Sequence, residues 1–275
     1  MTTVKNMRHY KRVLSIAGSD PSGGAGMQAD LKTISACGCY ATTVLTAVVD
    51  ENTIGVTGVH PVPVDFVKGQ IHSVLDDIGT DAIKIGMLHS SELIIGVRET
   101  LDEYDIKDIV LDPVMVATSG DKLLEDDAID TLKSILIPRV RVITPNIPEA
   151  EILSGEKITC ENDMPKVIKK LSCGGRVSVL LKAGHLTEDT LVDYFYNAET
   201  DEIIKLPSQR INTKNTHGTG CTFSSAVASY LAHKLPLNEA IKKAKDYINQ
   251  AIVNGAKYEI GKGHGPVCHF YRFWK

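Results

Sequence analysis

The chain has 275 residues, 43% of them hydrophobic and 23% charged, and a formal net charge of -4. That length and balance suit one large α/β domain or two small ones and exclude a disordered chain. A pI of about 6.1 gives no global basic field for nucleic acid. The first twenty residues hold no apolar run of signal-peptide length and no later run approaches a membrane span, so the expectation is a cytoplasmic protein.

In chain order, VLSIAG (13–18) reads as a buried strand, followed by a turn and a helix over AGMQADLKTISACG. YATTVLTAVV (40–49) is a second strand, FVKGQIHSVLDDI a helix and AIKIGML (82–88) a third strand. SELIIGVRETLDEY is helical, DIVLDPVM (108–115) a fourth strand and DAIDTLKSILIP a helix. RVITP (141–145) is a fifth strand, PEAEILSG and MPKVIKKLSCGG are helical, and VSVLLKAG (177–184) is a sixth strand. LVDYFYN and EIIKLPS form a hairpin towards a sheet edge. The loop NTHGTGC (215–221) leads into an amphipathic-looking helix from near Thr222, and NEAIKKAKDYINQAIVNGAK closes the series. Continuous apolar strands alternating with helices indicate a mainly parallel sheet covered on both faces. No linker, repeat or composition break divides it, so a single domain with a core over about 12–270 is expected.

Ligands of such sheets sit beyond the strands' C-terminal ends. AGSDPSGGAG follows the first strand, with glycines that let backbone approach a ligand and Asp20 as a compact acceptor. No G-x-x-x-x-G-K-[ST] loop occurs. Asp112 ends the fourth strand, and Asn146 and Glu149 lie three apart where a helix begins after the fifth. Their oxygens suit hydrated Mg²⁺, and the same spacing suits a helix cap; both readings stand. Lys182 ends the sixth strand and points its cation into the same crevice.

The glycines of NTHGTGC, just before a helix, let several N–H groups converge on an anion, aided by the helix dipole. The same geometry lowers the pKa of Cys221. Cysteine hydrolase chemistry needs an oriented histidine base, and neither His217 nor the distant His264 makes a compelling triad. Phosphoryl transfer accounts for more of the glycines. Another phosphate enzyme, a cysteine-nucleophile enzyme and a non-catalytic binding module remain as alternatives. Of the six cysteines, only Cys37 and Cys39 are close, which is weak for metal; reduced thiols are expected.

The segments IAGSDPSGGAGMQADLKT, TAVVDENTIGV, AIKIGML, LDPVMVATSG, TPNIPEAEIL, LLKAGH, NTHGTGCTFSSAVA and EIGKGHGPV run in order from about residue 13 to 269. Together they resemble the hydroxymethylpyrimidine/phosphomethylpyrimidine kinases of thiamine biosynthesis, in the ribokinase-like superfamily. The resemblance implies a three-layer α/β/α sandwich, ATP and Mg²⁺, a homodimer, and two successive phosphorylations of 4-amino-5-hydroxymethyl-2-methylpyrimidine. By position, Gly18, Asp20, Ala25, Met87 and Val114 would line the pyrimidine pocket. Asp112 and Glu149 would hold Mg²⁺ mainly through water, while Asn146, Lys182 and Thr216 would meet the nucleotide. Gly218, Thr219, Gly220 and Cys221 would form the anion hole. Related sugar kinases end this loop in G-A-G-D with aspartate as base, so Cys221 is expected to position and, secondarily, to accept a proton. Where the family reads T-A-x-T-x-Q-N-T with glutamine on the pyrimidine, this chain reads TAVVDENT and carries Glu51. That departure bears on substrate preference, and pyridoxine-type kinases of the same scaffold are the main alternative. The closing aromatics Phe270, Tyr271, Phe273 and Trp274 are expected to seal the chain against itself or a second subunit, and His264 and His269 to be structural or exposed.

Overall fold

A computed structural model describes residues 8–115, 123–125, 127–184 and 190–274. Its main sheet begins with β1 (Arg12–Ala17) and β2 (Tyr40–Leu45), joined through α1 (Gly26–Ala36). The chain then leaves that sheet for an antiparallel pair, β3 (Ala47–Glu51) and β4 (Val56–Pro61). Helix α2 (Val64–Asp77), β5 (Ala82–Ile85), α3 (Ser91–Asp102) and β6 (Ile109–Leu111) follow. A short α4 (Ala128–Thr131) continues through a π turn and a 3₁₀ turn to Arg139. Next come β7 (Val142–Ile143), α5 (Ile147–Ser154), α6 (Met164–Leu171), β8 (Ser178–Leu181) and the hairpin β9 (Thr190–Asn197) and β10 (Glu202–Gln209). Helices α7 (Thr219–Ala232) and α8 (Leu237–Gly255) complete the order. The eight-stranded sheet runs β10-β9-β8-β7-β6-β5-β1-β2, parallel except for the two pairings of β9. The expected edge hairpin and parallel core are therefore present.

Strand alternation sorts the core into two layers. Leu14, Ile16, Ile83, Ile85, Ile109, Leu111 and Ile143 point to one face and pack with residues of α2, α3, α5 and α6. Val13, Ala82, Val110, Val142 and Leu180 point to the other and pack with α1, α7 and α8. Each such aliphatic chain, fully buried, contributes about 1.5–3 kcal/mol. The three-layer α/β/α architecture follows directly from that alternation. Among the described residues, no helix is long and apolar enough to cross a membrane.

Two expectations are corrected. Residues 40–49 form two strands in different sheets: the Thr46 amide donates to Ala17 O and its hydroxyl to Met87 O, turning the chain off β2. Helix α7 begins at Thr219, earlier than Thr222, so Gly220 and Cys221 occupy its first turn. It is also not amphipathic, because every residue from Thr222 to Ala232 is buried. Its alanines and serines let α1 and α8 approach closely, and its hydroxyls bond inward, Ser229 Oγ to Ser225 O at 2.7 Å.

At the C-terminus, Tyr271 packs on Tyr247 of α8, and Phe270 gathers Phe273 and Trp274. The last two remain exposed, so the aromatic cluster seals only in part against its own chain. His264 is exposed and His269 buried.

Candidate active site

A cavity of about 800 Å³ opens at the C-terminal ends of the parallel strands. Every expected site residue except Asp20 lines it. One lobe takes Gly18, Ala25, Glu51, Met87 and Val114; Asp112, Asn146, Glu149, Lys182, Thr216 and the turn Gly218–Cys221 surround its waist. A third region, built by Gln209 of β10, Asp193 of β9 and Lys245, Asn249 and Ile252 of α8, carries the cavity onward.

Asp20 is displaced from the expected role because its carboxylate is consumed by its own loop. Oδ2 accepts from the Ala25 amide at 2.6 Å, the Gly24 amide at 3.1 Å and the Ser22 hydroxyl at 2.9 Å. The same oxygen meets His217 Nε2 at 2.8 Å, and Oδ1 accepts the Ser22 amide at 2.7 Å. Burial works against this carboxylate, but His217, Ser22 and Ala25 outweigh it and draw its pKa down to about 2. Asp20, His217 and Glu51 offer atoms within 4.8 Å of one another, a spacing that suits a cation. Four donors already converge on Asp20 Oδ2, His217 among them. Asp20 and His217 instead latch the glycine loop to the segment before α7, and His217 is committed to Asp20 rather than to Cys221.

That latch explains Gly218, and a neighbouring ion pair explains Gly220. Gly218 adopts φ +77°, and a Cβ there would collide with the Gly24 carbonyl oxygen. Gly220 has ordinary helical backbone, yet a Cβ on it would stand 3.1 Å from Asp112 Oδ2 and 3.3 Å from Lys182 Nζ. The N-terminal turn of α7 thus lies directly against an acid–lysine pair. Among the described residues, the Gly220 and Cys221 amides donate to no protein acceptor, as expected for a helix's first turn. Thr219 differs: its amide and its hydroxyl, the latter at 2.7 Å, both turn back to Thr216 O. Thr216 thereby shapes the turn through its carbonyl.

Lys182 Nζ donates to Asp112 Oδ1 at 3.0 Å, which also accepts the Thr144 hydroxyl at 3.0 Å. Asn146 and Glu149 form a reciprocal capping box, with Glu149 N to Asn146 Oδ1 at 2.9 Å and Asn146 N to Glu149 Oε2 at 2.8 Å. Burial pushes the Glu149 pKa up to about 7; Lys182 opposes and Asp112 reinforces the rise. Burial also works against the Lys182 cation, but Asp112 and Glu149 hold its pKa above the usual lysine value. Two carboxyl groups crowded on one wall, one of them reluctant to ionise, form a donor set that suits a hard divalent cation retaining some of its waters.

The expected lowering of the Cys221 pKa is contradicted. Burial pushes the thiol up to about 12; Lys84 opposes this, while Asp30 and Asp112 add to it. The thiol is neutral at physiological pH, and its helix N-terminus does not reverse that. Beneath it lies a network that the sequence reading missed. Lys84, fully buried, donates to Asp30 Oδ2 at 2.8 Å, which also accepts Ser15 Oγ at 2.6 Å, while Oδ1 accepts Ser225 Oγ at 2.7 Å. Burial disfavours the Lys84 charge, but Asp30 and Asp112 keep its pKa raised. The signal was available: a lysine inside the apolar strand AIKIGML is rarely buried unless paired. The α8 side of the cavity was also missed. There Lys245 Nζ meets Asp193 Oδ2 at 2.6 Å, and Asp193 Oδ1 takes the Ala183 amide at 2.8 Å.

A helix N-terminus beside a lysine and two acids, at the C-terminal edge of a three-layer α/β/α fold, is the arrangement of a small-molecule kinase of the ribokinase-like class. The sequence matches the phosphomethylpyrimidine kinase family over residues 20–268, and the chain belongs to that family. It is 46% identical to the hydroxymethylpyrimidine/phosphomethylpyrimidine kinase of Rhizobium meliloti, over 95% of this chain and 98% of that protein. It is 48% identical to the thiamine biosynthesis bifunctional protein ThiED of Geobacter sulfurreducens, over 94% of this chain but 52% of that longer protein. A solved ADP complex of Bacillus subtilis pyridoxal kinase superposes with a TM-score of 0.87 at 38% identity, covering 95% of this chain and 98% of the other.

Proposed function

We propose that the chain transfers the terminal phosphoryl group of ATP to the hydroxymethyl group of 4-amino-5-hydroxymethyl-2-methylpyrimidine, and then a second group to the resulting monophosphate. The observation that carries this is the contact of the Gly220 turn with Asp112 and Lys182. It brings unpaired amides, a cation and acids to one point, as in-line phosphoryl transfer demands. The pyrimidine occupies the lobe of Gly18, Ala25, Glu51, Met87 and Val114, and the reading turns its 5-substituent towards the Gly220 turn. The nucleotide lies along Lys182, Asn146 and Thr216 towards α8, with its base beside Asn249 and Ile252. Asp112 and Glu149 hold Mg²⁺, mainly through water; when bound, it neutralises charge on the phosphates.

Within that arrangement, the Gly220 and Cys221 amides receive the transferring phosphoryl oxygens, and Lys182 balances the charge that develops on them. The neutral Cys221 thiol positions the acceptor rather than serving as a ready base. The second acceptor is already a phosphate and needs less help from a base. A homodimer remains part of the proposal, and the exposed Val48, Ile54 and Val59 around the β3–β4 pair offer apolar surface to a second copy. The likeness to a pyridoxal kinase supports one rival acceptor, pyridoxine. ADP release with Mg²⁺ and either the hydroxymethylpyrimidine, its monophosphate or pyridoxine tests the reading. Turnover of both pyrimidines with the higher kcat/KM is expected. Preference for pyridoxine overturns the substrate assignment, and no acceptor-dependent ADP overturns the kinase.

A further inference from the structure

Strand β5 is buried along its whole length, yet its third residue is a lysine. Lys84 is fully buried and donates to Asp30 Oδ2 at 2.8 Å. Asp30, on α1, is equally buried and accepts two hydroxyls besides, Ser15 Oγ of β1 at 2.6 Å and Ser225 Oγ of α7 at 2.7 Å. One carboxylate thus ties β1, β5 and α7 to α1, and Ser225 lies one helical turn beyond Cys221.

Stability alone gives little reason for such a pair, because well-packed apolar side chains of similar volume often serve a core as well. What the pair does have is direction. Lys84 borders the cavity with Asp112, Gly220 and Cys221. Its cation acts on the Cys221 thiol more strongly than Asp30 does. The positive end of the pair therefore faces the first turn of α7, and the negative end faces the inner hydroxyls. Gly86 keeps that position open, since a Cβ there would stand 2.7 Å from Lys84 Nζ and 3.2 Å from Ala17 Cβ.

We infer that Lys84, oriented by Asp30, is a positioning residue for phosphoryl transfer: a buried cation that sets the field at the Gly220–Cys221 turn without touching substrate. This rests on the phosphoryl-transfer site proposed above. Lys182 keeps 14% of its side chain exposed and can meet a phosphate, whereas Lys84 exposes none and reaches one only through its field. A charge fixed in place and kept from water is weakly screened, and it costs no reorganisation when charge shifts among the phosphoryl oxygens. Its signature is a fall in kcat with KM little changed, because the contacts that bind the ground state stay in place.

The test removes both charges and keeps the volume. Lys84→Gln combined with Asp30→Asn leaves a neutral pair that still hydrogen-bonds. With Mg²⁺, ATP and the hydroxymethylpyrimidine, it is expected to lower kcat about tenfold and to leave both KM values within about twofold of wild type. Aluminium fluoride bound with MgADP and the pyrimidine imitates the planar phosphoryl group in transfer. Its affinity should fall by the same factor as kcat, while MgADP alone binds as before; a loosened fold would not separate the two. Gly86→Ala is the second variant, which keeps both charges and displaces the ammonium, and its kcat is expected to fall severalfold. Wild-type kcat in the folded neutral pair, or equal losses for MgADP and the aluminium fluoride complex, overturns the inference and leaves the kinase reading intact. If the neutral pair does not fold, full activity in Gly86→Ala overturns it instead. No acceptor-dependent ADP from the wild type removes the kinase reading and the inference with it.

Discussion

Replacing Gly220 by alanine separates the chemistry proposed for the α7 turn from the stability of the fold. The new methyl would sit 3.1 Å from Asp112 Oδ2 and 3.3 Å from Lys182 Nζ, so one of these groups must retreat by a few tenths of an ångström. Both belong to a 3.0 Å ion pair whose side chains are almost buried, and the displacement disturbs that pair beside the position proposed for the phosphoryl group. Against the strain stands the helix: alanine is favoured over glycine by about 1 kcal/mol in a helix interior, and by less in a first turn. The two effects oppose each other within about 1 kcal/mol, which for a chain of this size moves Tm by no more than about 4 °C. Catalysis lacks that compensation. Misplacing donors of this kind costs roughly 10²-fold in rate, so kcat is expected to fall about a hundredfold for both acceptors. Coupled ADP assays at saturating ATP beside calorimetric melts read both quantities. An unchanged kcat in a well-folded Gly220→Ala protein refutes the placement of phosphoryl transfer at this turn. Gly218→Ala supplies the contrast, because its φ of +77° and the collision with Gly24 predict lost folding before lost chemistry.

Because burial pushes the Cys221 thiol up to about 12, iodoacetamide should label it slowly at pH 8. Cys221→Ser should lower alcohol phosphorylation by no more than about tenfold; rapid labelling contradicts the neutral thiol. Lys84→Met strands the Asp30 carboxylate in the core and should cost about 3–5 kcal/mol in urea unfolding, with much of it recovered by adding Asp30→Asn. Recovery of nothing would place the loss in packing rather than charge. His269 is held neutral by burial, with Lys32 and His217 reinforcing, at a pKa of about 3. The unfolded imidazole binds its proton first, so stability is full above about pH 6.5 and is lost as pH falls towards 3, at roughly 1.4 kcal/mol per unit. Urea midpoints at pH 7 and 5 should differ accordingly, and less so in His269→Gln.

What could be read from the sequence was local, and what could not was set by distant partners. The strands and the edge hairpin follow from apolar runs of strand length, and the Asn146–Glu149 cap follows from a spacing of three. The role of Asp20 depended on His217, 197 positions away, which no spacing rule connects to it. The Cys221 forecast rested on its helix N-terminus, a local feature, whereas burial and the acids Asp30 and Asp112 set the direction. The break after Leu45 is invisible because alternation continues through both β2 and β3 while the sheet changes. Lys84 is different: its anomaly stood in the sequence and only its partner was missing.

These buried charges also explain why the cavity can await a polyanion without collapsing or repelling it. Lys84 and Lys182 face Asp30, Asp112 and Glu149, one more acid than bases. Two of those acids are matched to lysines at 2.8 and 3.0 Å, and the unmatched Glu149 is the one whose pKa burial raises to about 7. Near neutrality the set therefore balances by letting Glu149 keep its proton part of the time, which limits the desolvation cost of a third buried carboxylate. On the proposed reading, a nucleotide with its divalent cation would change that balance: the cation would favour ionised Glu149, and the phosphates would take up the positive field of Lys182 and the α7 amides. The acid that is costly in the empty protein would thus be the one that becomes useful when the cavity fills. Glu149→Gln should consequently leave folding stability near neutrality within about 1 kcal/mol while weakening dependence on Mg²⁺. A large loss of stability with unaltered Mg²⁺ activation would show that Glu149 serves only to cap α5.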